Sequence, residues 1–138
     1  MTSRLNPYLT FNGDAREAME FYQSVFGGRL NIATFGDFGA GEGIDANGVM
    51  HANLVTDLGF TLMASDTPPG EEATSGTMIT CSLSGDDADV LSDYWERLSE
   101  RGQVQMPLEA QMWGDVFGMC IDRFGIPWLV NIASEPPP

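Results

Sequence analysis

The chain has 138 residues, 43% of them hydrophobic, which suits one domain with a core of its own. Against 6 Lys+Arg stand 20 Asp+Glu, a formal net charge of -14. Such a surface repels phosphate backbones and anionic lipid, which argues against nucleic acid and membrane as partners, whereas a cationic ligand would be attracted.

The opening "MTSRLNPYLTF" has neither the apolar stretch nor the cleavage site of a signal peptide, and its "LNPYLTF" reads as a first strand. In "DAREAMEFYQSVFGG" the apolar positions Ala15, Ala18, Met19, Tyr22, Val25 and Phe26 recur at helical spacing. Asp14 is placed to cap that helix, and Gly27-Gly28 to stop it. Three strands follow, "RLNIATFG", "VMHANLVT" and "FTLMASD". The pattern then recurs: strand "TMITCSLSG"; helix "DDADVLSDYWERLSERG" with stripe Val90, Leu91, Tyr94, Trp95 and Leu98; strands "QVQMPLEA", "VFGMCIDR" and "PWLVNIA". Asp86 or Asp87 caps the second helix, Arg97 and Arg101 suit its C-terminal dipole, and Gly102 ends it. The tail "EPPP" reads as a disordered end. No apolar run approaches the roughly 18 residues of a membrane span. Cys81 and Cys120, 39 positions apart with no C-x-x-C, read as reduced thiols of a cytoplasmic protein.

This order is an internal duplication. Gly13-Asp14 matches Gly85-Asp86 at a shift of 72, and Gly59 matches Gly125 at a shift of 66. Repeat one spans about residues 4–68, repeat two about 75–133, and 134–138 form the tail. The expected fold is α+β: two βαβββ repeats packed as one domain, forming curled mixed sheets around a cavity, with one helix backing each sheet. Such a cavity is a natural small-molecule site.

"GDFGAGEG", residues 36–43, has the glycine spacing of a nucleotide loop. That reading requires a helix N-terminus after the glycines to supply N–H groups to phosphate. Here the turn "DANG" and a strand follow instead, and Asp37, Glu42 and Asp45 oppose a phosphate. The run is expected to be a flap between strands.

The stretches "LNPYLTFNGDAREAMEFYQSVFGG", "MHANL", "TLMASD", "MPLEAQMWGDVFGM" and "DRFGIPWLVN" resemble the vicinal oxygen chelate superfamily of glyoxalases, dioxygenases and bleomycin-resistance proteins, and within it the PhnB-like branch. The resemblance implies the paired βαβββ fold, a homodimer, and in metal-dependent members four His or Glu ligands, one on the first and one on the last strand of each half. The corresponding positions are Pro7, Met63, Met78 and Leu129, and thioether and alkyl groups do not serve hard or borderline divalent metals. A metal-free cavity, with no cofactor, is therefore the leading expectation. The branch is often labelled demethylubiquinone methyltransferase, but no Rossmann pattern supports that chemistry.

Strand alternation separates Met50, Ala52 and Leu54, which pack on the helix, from Val49, His51, Asn53 and Val55, which face the cavity. His51 is the only histidine and the one candidate catalytic residue. It reads as a general base, a ligand hydrogen-bond partner, a metal ligand or a structural side chain. The same alternation puts Met63, Ser65, Met78, Thr80, Ser82, Leu129 and Asn131 on cavity faces, with Ile79, Cys81 and Leu83 inward. Trp113 in "AQMWGDVFG" is placed to stack on an aromatic or cationic ligand, or to pack at a rim. Asp66 and Asp122 begin turns and read as backbone acceptors, with a part beside His51 in an atypical metal site as the other option. Two functions follow: small-molecule binding at a metal-free site by His51, Asn53, Met63, Ser65, Met78, Thr80, Trp113 and Asn131, or a metal-dependent lyase, isomerase or dioxygenase built around His51.

Overall fold

The apolar stripe of the first helical segment defines α1 at Ala15–Phe26, where Ala15, Ala18, Met19, Tyr22, Val25 and Phe26 are all buried. The stripe of the second defines α2 at Ala88–Ser99, burying Leu91, Tyr94, Trp95 and Leu98. Val90, at the edge of that stripe, is only half-buried. A computed structural model describes residues 4–38, 47–67, 72–74, 76 and 78–134. In chain order its strands are β1 (Tyr8–Phe11), β2 (Arg29–Thr34), β3 (Val49–Val55) and β4 (Thr61–Asp66), then β5 (Cys81–Gly85), β6 (Gln103–Ala110), β7 (Val116–Ile121) and β8 (Pro127–Ile132). The flap expected in residues 36–43 falls largely outside the described residues, as does the tail 135–138; within the flap, Gly36–Phe38 make one 3-10 turn.

The fold is α+β, two βαβββ units each with a helix behind an open, four-stranded mixed sheet. Contacts divide the chain into two compact units, Met1–Thr74 and Ser75–Pro138. The strand orders are β1-β4-β3-β2 and β5-β8-β7-β6, with the outer pairs β1–β4 and β5–β8 parallel and the rest antiparallel. Neither order is that of a doubly wound nucleotide-binding sheet. No helix among the described residues is long and apolar enough to cross a membrane.

The duplication extends to single hydrogen bonds. Gly59 and Gly125 both adopt φ 91, a left-handed conformation that glycine takes without strain. Thr56 N donates to Phe60 O at 2.8 Å, and Asp122 N to Ile126 O at 2.9 Å, closing the two hairpins alike. Side chains reinforce them: Thr56 Oγ1 accepts from Phe60 N, and Asp122 Oδ1 from Phe124 N and Ile126 N. Asp122 Oδ2 also accepts from the buried Trp128 Nε1 at 2.8 Å.

Four local expectations are corrected. Asp14 makes no side-chain cap on α1. Instead Asp66, 6% exposed at the end of β4, accepts from Gly13 N and Ala15 N through Oδ1 and from Val49 N through Oδ2, each at 2.9 Å. Val49 belongs to the core, 1% exposed, because the β2–β3 register slips between Ala33 and Thr34 and reverses its side. Strand β5 begins only at Cys81, so Ile79 is 84% exposed rather than inward, and Met78 is 99% exposed. Helix α2 ends at Glu100 with Arg101, φ 64, in the left-handed position; Gly102 is needed one step later, where a Cβ would strike the Ile121 carbonyl. The cap of α2 is as expected, Asp87 Oδ1 accepting from Val90 N at 3.1 Å.

The Asp66 geometry separates two carboxylates that look alike in sequence. Asp66→Ala strands three backbone donors and is expected to lower unfolding free energy by about 3–5 kcal/mol in urea titration. Asp14→Ala removes no hydrogen bond of its own side chain and is expected to cost less than about 0.5 kcal/mol. Equal losses would contradict the assignment.

Candidate functional site

In the first unit the helix covers one face of the sheet: Leu9, Phe11, Ala52, Leu54, Leu62 and Ala64 are buried there. The alternate residues stand on the other face. Register places Tyr8 beside Met63, Met63 beside Asn53, and Asn53 beside Asn31, one row across all four strands. In the next row Thr10 stands beside Ser65, and His51 beside Ala33. Arg29 faces Val55, and Val55 faces Thr61, at the other side of the first row. The Tyr8 and His51 rings are 6.0 Å apart between centroids and tilted by 34°. His51, Asn53, Met63 and Ser65 are half-buried, and Tyr8 is 50% exposed.

Four candidate residues, His51, Asn53, Met63 and Ser65, thus share this one face. The remaining candidates lie in the second unit. Met78 and Thr80 precede β5 rather than lying on it. Trp113, 63% exposed in the β6–β7 turn, sets its ring edge-on to Phe117 at 6.1 Å. Phe117 is the register partner of Asn131, whose Nδ2 donates to Asp115 Oδ2 at 3.1 Å. The Ser134 backbone N–H, and after it the Asn131 amide, hold the Asp115 carboxyl below the usual carboxylate range. Tyr8, Asn31 and Arg29 were not singled out in the sequence. The alternation of "RLNIATF" is the signal for Arg29 and Asn31, and the parallel pairing of first and last strands in each repeat is the signal for Tyr8.

Asp66 and Asp122 do not join His51: both are buried, and their oxygens accept the backbone and indole N–H groups described above. Among the described residues no group of three His, Cys, Asp or Glu could hold a metal ion. The paired first- and last-strand positions are Tyr8 with Met63 and Ser82 with Leu129, so Ser82 takes the place expected for Met78. The last-strand position of each pair, Met63 or Leu129, offers no N or O donor to a hard or borderline divalent ion, and none of the four is a carboxylate or an imidazole.

The other potential nucleophiles are the thiols. Cys81 and Cys120 flank Trp128 from opposite sides in register. Two strand spacings separate them by about 9.6 Å, beyond the roughly 7 Å limit for a disulfide. Burial, with the Asp122 charge adding to it, raises the Cys81 thiol above its usual range and pushes Cys120 up to about 11. Neither is poised as a thiolate at neutral pH.

A chain of two βαβββ units, each with a helix behind a four-stranded mixed sheet, has the architecture of the vicinal oxygen chelate class. The chain belongs to the Glyoxalase/Bleomycin resistance protein/Dioxygenase superfamily, which matches residues 4–130. It is 28% identical to Protein YjdN of Escherichia coli over 146 residues, covering 96% of this chain and 97% of that one. The solved structure of protein PA1353 from Pseudomonas aeruginosa is similar at 39% identity and TM-score 0.83, covering 95% of this chain and 98% of that one. The PhnB protein from Bacillus cereus shares the fold at 24% identity and TM-score 0.78, covering 95% and 100%.

The thiols give a pH test. A folded pKa raised to about 11 for Cys120 stabilises the fold below the unfolded value, and that contribution is lost as pH rises toward 11. Native protein at pH 8 is expected to react with a disulfide reagent at Cys120 at least about tenfold more slowly than urea-unfolded protein. Equal rates would show an open thiol.

Proposed function

We propose that the protein binds a small organic molecule on the helix-free face of its first sheet, without a metal. The observation that carries this reading is the row Tyr8–Met63–Asn53–Asn31 with the Tyr8 and His51 rings above it. A flexible thioether and a phenol give apolar contact to a ligand of varied shape, while amides and imidazole fix its orientation. Trp113 and Asn131, with Met78 and Thr80, are proposed as ligand-contacting residues of the second unit taken by itself. That Met63 and Leu129 supply no N or O donor at the last-strand positions supports metal-free binding.

The second reading is catalysis by His51, favoured by its ring contact with Tyr8. An imidazole and a phenol on one face can exchange a proton with a bound oxygen. We also propose a homodimer, the commonest closed assembly, and a reducing cytoplasmic setting for the two free thiols.

His51 is the only histidine, so histidine ring resonances report on it directly. A small-molecule collection titrated against protein purified without chelator is expected to yield compounds that shift the His51 signals. His51→Ala should weaken them by about 1–2 kcal/mol, roughly fivefold to thirtyfold. No compound shifting His51 would defeat the binding reading, and a stoichiometric transition metal by elemental analysis would defeat its metal-free form. Light scattering should give twice the 15.0 kDa chain mass, and 15.0 kDa would refute the dimer.

A further inference from the structure

The duplicated scaffold provides an internal comparison, because each register pair on the open face of the first sheet has a counterpart in the second. Asn31 pairs with Asn53, while Met106 pairs with Met119 at the equivalent place. Arg29 pairs with Val55, and Gln103 pairs with Ile121. The fold therefore accepts methionine where the first sheet has two amides, and glutamine where it has a guanidinium. Folding alone does not call for the polar set.

The three donors form one corner of the face. Facing Asn31 and Asn53 side chains start about 5 Å apart, and Arg29 lies diagonally about 7–8 Å from Asn53, within reach of a common group. Their backbones pair in the sheet, but among the described residues none of the three side chains has a hydrogen-bond or ion-pair partner. Arg29 is one of six basic residues, all arginine, in a chain with 20 acids, yet no strand residue on this face is Asp or Glu. A planar guanidinium beside two amides matches a carboxylate, which takes two parallel N–H bonds from the fork and leaves lone pairs for the amides.

Building on the binding site proposed above, we propose that its ligand is a small organic acid whose carboxylate is held by Arg29, Asn31 and Asn53. The body of the ligand lies toward Met63, Tyr8 and His51.

A fragment collection of matched carboxylic acids, primary amides and amines, titrated by NMR at fixed salt, tests this. Acids are expected to dominate the compounds that shift the Asn31, Asn53 and His51 signals. Arg29→Gln, which copies Gln103 of the second repeat, should weaken acids at least about fivefold and leave amides unchanged. Asn31→Met with Asn53→Met copies the Met106–Met119 pair and should do the same without unfolding the chain. If amides or amines bind at His51 as well as acids do, or if Arg29→Gln leaves acids unaffected, the acid assignment falls while the binding site stands. If no class shifts His51, both fall.

Discussion

The carboxylate of Asp66 ties three chain segments to one point. Through its two oxygens it holds the backbone N–H groups of Gly13 and Ala15, where α1 begins, and of Val49, where β3 begins. A buried carboxylate, 6% exposed, is costly unless hydrogen bonds replace its water. Three backbone donors do that here, and two of them sit at the helix terminus where negative charge is stabilised. The position of α1 behind the sheet, and the starting point of β3, both follow from this carboxylate. β3 starts there with Val49 turned inward, and the register slip that follows reverses the parity, so that His51 and Asn53 stand on the open face. The site residues therefore depend on a side chain they do not touch.

The second repeat solves the same problem with different residues. Its equivalent of Asp66 is Ile132, buried at 7% exposure, and α2 is capped by its own Asp87. The buried carboxylate of that half is Asp122, which holds the hairpin and the Trp128 indole. What the repeats share is backbone: the φ 91 glycines, the parallel outer pairs, and the glycines Gly28 and Gly102 whose missing Cβ lets the chain pass the Val55 and Ile121 carbonyls. What they do not share is the character of the open face. The two halves are alike where folding demands it and differ where a ligand would be met.

That division explains which parts were legible in sequence. Helical stripes and glycine turns are local patterns, so both helices, all eight strands and the duplication could be read directly. The grouping of His51, Asn53, Met63 and Ser65 followed from alternation within single strands. The misreadings are those where a distant group overrides a local one. Asp14 has the right residue type for a cap, but Asp66, 52 positions away, occupies the donors. Val49 has the parity of a site residue, but an irregularity in pairing with β2 reverses it. Met78 extends an alternating run, yet the strand starts three residues later. Tyr8 required knowing which strands are neighbours, and the alternation that sets Arg29 and Asn31 apart on β2 gains meaning only once β2 is placed beside β3.

The acid proposed for the first sheet runs against the net charge, and the two are reconciled by range. A total of -14 describes the whole surface, and at physiological salt its field decays within about 8 Å. A ligand in contact with the first sheet meets Arg29, Asn31, Asn53 and His51 at hydrogen-bond range, with no strand carboxylate on that face. Acids elsewhere, such as Glu17 in the first turn of α1 or the buried Asp66, act through solvent or are already bound to backbone donors. The long-range field slows approach of an anion, whereas the contact groups decide what stays. An acidic protein can thus hold an acid, provided its few cations stand at the site rather than among the carboxylates.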